Sequence, residues 1–141
     1  MDPSARKLTL LQLVGGPAVL ASYAWCLSVW PEASAQMWGG VPEVMRPLYT
    51  GWMFVAAAGY LIYSYVFTFR VDLGTLRGRG RLLPCYALVL GFSALWMPMT
   101  KWLLDDPSVL RFALVCLDLA LVALGSLGLL SIALRMDPGR L

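Results

Sequence analysis

Few side chains inside the long apolar runs of this chain can do chemistry, and Asp118 is the foremost of them. It lies nine residues past Val109, about 13 Å along a helix that starts there. At that depth in a bilayer an isolated carboxylate costs at least about 2.5–3.5 kcal/mol on insertion scales. Such a group faces its neighbouring helices, pairs, or keeps its proton. Arg111 stands two turns away on the same segment, too far for direct contact. Neutral partners are on offer in Tyr60 and Tyr63, in Ser93 or Thr100, and in Ser22 or Tyr23. Asp118 therefore reads as a ligand anchor or a proton site. The structural alternatives are an interhelical hydrogen bond or a contact to another subunit.

Tryptophan and methionine are the other unusual residues. All six tryptophans (Trp25, Trp30, Trp38, Trp52, Trp96 and Trp102) fall toward one end of the apolar segments. Five of the seven methionines do the same: Met37, Met45, Met53, Met97 and Met99. Aromatic belts ordinarily decorate both membrane interfaces, so the asymmetry needs a cause. Trp30, Trp38, Trp52 and Trp102 suit an interface. Trp25 and Trp96 lie a turn or more inside the apolar layer, where an indole N–H seeks a partner. Methionine supplies adaptable surface. Pro98 lacks an N–H and frees the carbonyl of Ala94, as Pro17 does for Leu13. Together Asp118, Trp25, Trp96, Pro98, Trp52, Tyr60 and Tyr63 predict a pocket for a flat or flexible apolar molecule.

Much other chemistry is excluded. The chain has no histidine, hence no Ser-His-Asp or Cys-His catalysis and no histidine-ligated haem or zinc. Cys26, Cys85 and Cys116 form no C-x-x-C pair. Buried free thiols are the expectation, although Cys26 and Cys116 lie toward the same end and could pair. The residues name no cofactor and offer little for an enzyme.

Composition dictates what must position these residues. Of 141 residues 60% are hydrophobic and 13% charged, against about 25% charged in an average soluble domain. Lipid is therefore the expected solvent. A spanning helix needs about 20 apolar residues, and four segments qualify, at about 8–30, 48–69, 82–104 and 109–134. Backbone groups in lipid must be satisfied within the segment, so these are helices. The expected fold is a single-domain, all-α, four-helix transmembrane bundle. Ala56-Ala57-Ala58-Gly59, Gly125 and Gly128 offer small surfaces for close packing.

Charge sets the orientation. Arg6, Lys7, Arg70, Arg77, Arg79, Arg81, Arg135 and Arg140 fall on one side of a four-span chain, and Arg46, Lys101 and Arg111 on the other. Eight cations against three place both termini on the cytoplasmic face of a bacterial inner membrane, or of a eukaryotic plasma or organelle membrane. The apolar run after Arg6 and Lys7 exceeds the 7–15 residues of a signal peptide, so it is expected to stay as a span. Arg77, Arg79 and Arg81 suit contact with anionic lipid, and the basic surface is too small for nucleic acid. Residues 31–47 mix apolar and turn residues and are expected to lie back on the bundle as a lid.

Three functions follow as expectations. The leading one is a small polytopic membrane protein that binds an apolar small molecule or lipid. The second is an accessory or assembly subunit of a larger membrane complex. The third is a small proton-coupled transporter, a homodimer using Asp118.

Overall fold

The structure is a computed structural model and describes residues 3–71 and 79–136. Helix α1 (Pro3–Val29) is followed by one helical turn, α2 (Ala33–Gln36), and a 3-10 turn (Glu43–Met45). That turn leads into α3 (Arg46–Phe69), after which come α4 (Arg79–Asp105) and α5 (Val109–Ala133). The described chain is all-helical. Helices α1, α3, α4 and α5 are long and apolar enough to cross a membrane. They match the four expected spans, with α1 extended back to Pro3 and α4 to Arg79.

Pro17 and Pro98 lie inside their helices, as the expected spans have them. A proline removes one ladder bond, but the turns on both sides are long enough to continue. Pro84 also lies inside α4.

Helix α4 is the centre of the bundle, packed along α5 on one side and α1 on the other. Helix α1 runs parallel to α4, with Gly15 against Leu90 low down and Cys26 against Met97 higher up. The end carrying residues 31–45 and 106–108 is the upper end. The lower core joins all four long helices through Leu8, Phe67, Leu82, Tyr86, Leu90, Leu129 and Ile132.

Helix α5 meets α4 along a narrow seam. Its buried residues are Val115, Asp118, Gly125, Leu129 and Ile132, with half-buried Val122 completing alternating steps of three and four. That spacing is the 3.5-residue repeat of helices packed knobs-into-holes. Gly125 brings the two backbones together: a Cβ there would stand 2.9 Å from the carbonyl oxygen of Cys85.

Helix α3 is held differently. One hydroxyl ties it to each of the other long helices. Tyr63 Oη donates to the Leu129 carbonyl of α5 at 2.9 Å, and Thr68 Oγ1 donates to Gln12 Oε1 of α1 at 3.0 Å. Ser64 Oγ pairs with Tyr86 Oη of α4 at 3.3 Å. Each such bond between membrane helices is worth about 0.6–1.7 kcal/mol. Tyr63 stacks on Phe67 at 4.3 Å, and Tyr60 meets Tyr86 edge-on at 6.0 Å. All these ties lie in the lower half. Above them Leu48, Trp52, Phe54 and Val55 are exposed, and so is the whole small-residue run Ala56–Gly59. The expected packing role of that run is not realised among the described residues, whereas Gly125 and Gly128 do pack.

Candidate functional site

Asp118 sits on the α5 seam, 2% exposed, and neither carboxyl oxygen has a hydrogen-bond partner among the described residues. Its height follows from register. It stands seven residues above Gly125, which meets Cys85, Leu88 and Val89 of α4. Seven residues are about 10 Å of helix, so Asp118 is level with the Ser93–Met97 turn of α4. From α1 comes Tyr23, which packs against the cluster holding Met97 at this level of α4. The Tyr23 ring leans on that of Trp96, with centroids 5.7 Å apart.

A second packed cluster lies at the upper end. Met97 is fully buried with Cys26, Trp30 and Ala33, and Tyr23, Trp96 and Met37 pack around them. Trp30 Nε1 donates to Gln36 Oε1 at 3.1 Å, which fixes α2 over the upper ends of α1 and α4. Residues 30–37 thus fold back on the bundle, as a lid would. Trp38, beyond them, pairs with Tyr49 of α3 at 6.5 Å. Thr100, one turn above Met97, also has a buried hydroxyl without a partner among the described residues.

Nearby cations are engaged elsewhere. The Arg111 guanidinium donates to the carbonyls of Asp106 (2.6 Å) and Trp102 (3.1 Å). It also meets the Asp106 carboxylate at 2.7 Å and lies over the Trp102 ring at 4.6 Å. This clamp closes the short α4–α5 turn, where Ser108 Oγ caps α5 by accepting from the Arg111 N–H. Lys101 Nζ is on the Asp105 carboxylate at 2.6 Å.

The structure divides the residues that the sequence groups together. Asp118 and Trp96 stand at one level of the bundle, and half-buried Pro98 lies on the same stretch of α4. Trp25 and Trp52 do not share it: they are 55% and 63% exposed on the outside of the bundle. Trp25 turns away because its neighbour Cys26 takes the inward position on α1. Tyr60 and Tyr63 belong to the lower cluster, and Tyr63 donates to Leu129, eleven residues below Asp118. Of the other expected partners, Ser22 Oγ donates to its own helix at Val19. Arg77 lies outside the described residues, Arg79 is the first residue of α4, and Arg81 is exposed. The three described cysteines are free; Cys26 is buried, Cys85 half-buried and Cys116 exposed, so Cys26 and Cys116 do not pair.

Three important residues escape a reading by composition. Tyr86 is fully buried and organises the lower aromatic cluster. Gln12 ties α1 to α3; a lone amide inside an apolar run is the signal that marks it. Met97 is fully buried in the upper cluster, and nothing in its local sequence separates it from Met99.

No family model matches the chain, and no curated protein and no solved structure is similar to it.

Proposed function

We propose that this chain is a multi-pass membrane protein that binds an apolar small molecule or lipid in its outer half, anchored on Asp118. The observation that carries this reading is the buried carboxyl with no donor for either oxygen among the described residues. Buried polar groups in folded proteins are nearly always hydrogen-bonded, and a structural carboxyl would have acquired a partner. This one is level with the turn of α4 that carries Trp96 and Met97, where Tyr23 of α1 packs as well. A polar anchor set in an apolar wall is the usual form of a small-molecule site.

Insertion is supported by the four apolar helices, and orientation by the eight cations toward the lower end. The upper end, with the site, then faces away from the cytoplasm. Single cysteines placed at Gly80 and Gly40 in a cysteine-free background test this, since a side chain meets open space at both positions. An impermeant maleimide applied from outside is expected to label position 40 and not position 80. The reverse pattern would overturn the orientation.

The binding test uses the protein purified in mild detergent. Apolar molecules extracted from the preparation are added back while tryptophan fluorescence is followed. Quenching is expected in the wild type, with about tenfold weaker binding in Asp118→Asn, the effect of losing a charge-assisted hydrogen bond. Absence of both a co-purifying molecule and quenching would overturn the reading.

A second reading, a subunit of a larger complex or a homodimer, is supported by the uncovered upper half of α3. Recovery of the chain only together with other chains would favour it.

A further inference from the structure

Resting on the Asp118 reading, we infer that the bound molecule is a lipophilic cation, an apolar body bearing an ammonium-like charge, and that it exchanges with a proton on Asp118. Three observations converge. Both carboxyl oxygens are buried and without donors among the described residues, so the ionised group offers acceptors alone. A neutral hydroxyl would satisfy one of them, whereas an ammonium brings several donors and the missing charge. Each of the three cations at the upper end is engaged: Arg111 with Asp106, Lys101 with Asp105, and Arg46 with Glu43. The side chains packed together at this level are aromatic and thioether: Tyr23, Trp96 and Met97. Aromatic faces attract cations, and Met97 with Met37 can repack around the ligand body.

The exchange conserves charge. Without ligand the carboxyl keeps its proton, because an ionised form would stand buried and uncompensated. When the cation enters, the O–H bond breaks, the proton leaves to solvent, and the carboxylate pairs with the ligand. The other titratable and charged groups on the upper parts of the three packed helices are Tyr23 and Cys26 of α1, Lys101 and Asp105 of α4, and Arg111 and exposed Cys116 of α5; Lys101 is held on Asp105 and Arg111 on Asp106. Helix α3 contributes Tyr60 and Tyr63, both in the lower cluster. Asp118 is thus the acid that exchanges.

The test compares 1-aminoadamantane with 1-adamantanol, two probes of one shape that differ in charge. Binding to the detergent-purified protein is measured by titration calorimetry in buffers of different ionisation enthalpy. The amine is expected to bind at least about tenfold more tightly than the alcohol, the scale of an added charge opposite a buried carboxylate. One proton should be released for each amine bound. Asp118→Asn should abolish both the preference and the release. If that variant fails to fold, the amine-to-alcohol ratio and the proton count of the wild type still decide. Equal affinities, or binding without proton release, would overturn the cation inference and leave the anchored-ligand reading standing. The cation inference falls in the same way if neither probe binds while the extract quenches. If the extract fails as well, both readings fall.

Discussion

Asp118→Leu is expected to make the ligand-free protein more stable, by about 1–3 kcal/mol, while abolishing ligand binding. Leucine and aspartate have the same branched shape and heavy-atom count, so the substitution exchanges two acceptors for two methyl groups in nearly the same space. The acceptors it removes have no partner among the described residues, and their desolvation is uncompensated. The methyl groups it adds fall on the seam between α4 and α5, among apolar neighbours. Asp118→Asn keeps the polarity and the burial and should fall between leucine and wild type. Reversible unfolding in mixed detergent micelles measures the order. A structural carboxyl gives the opposite sign, since removing one member of a buried hydrogen bond costs free energy. Loss of stability in the leucine variant would therefore show that Asp118 holds the bundle together and is not kept for a ligand.

That contrast explains how much of the site is legible in the sequence. The length of each apolar run sets the helices, and the depth of Asp118 follows from counting, because rise per residue is nearly constant. Rotation about the helix axis does not follow. Helix α1 is apolar on nearly every side, so no hydrophobic face chooses which residues turn inward. Trp25 and Cys26 are adjacent, yet the thiol is buried and the indole exposed. Trp96 stays packed at the level of Asp118 because α4 is enclosed by α1 and α5, which leaves it few outward positions. Tyr60 and Tyr63 are separated from Asp118 by height. Tyr60 is fourteen residues below the start of α3, or about 21 Å, against about 13 Å for Asp118 below the start of α5. That difference is present in the sequence once depths are compared helix by helix. The open face of Ala56–Gly59 is not, since small residues suit a close partner whether it lies within the chain or outside it.

Gly125 is where a single added methyl group should do the most structural damage. Its Cβ would stand 2.9 Å from the Cys85 carbonyl oxygen and 3.0 Å from both Leu88 Cβ and Val89 Cγ2. The nearest atom is backbone and cannot rotate aside, so α5 must move away from α4. Gly125→Ala is expected to destabilise by about 1–3 kcal/mol, and Gly125→Leu by more. Asp118 is two turns up the same seam, so the displacement should also weaken ligand binding without touching the ligand. Gly128 supplies the control. A Cβ there meets only the Cys85 side chain, with Sγ at 2.5 Å. Cys85→Ala removes that sulfur, and so should restore the stability of Gly128→Ala to within about 0.5 kcal/mol of the single Cys85 variant. The same Cys85→Ala change leaves the backbone carbonyl in place and should not rescue Gly125→Ala. Rescue of both glycine variants would mean that the α4–α5 spacing is set by the Cys85 side chain rather than by contact between backbones.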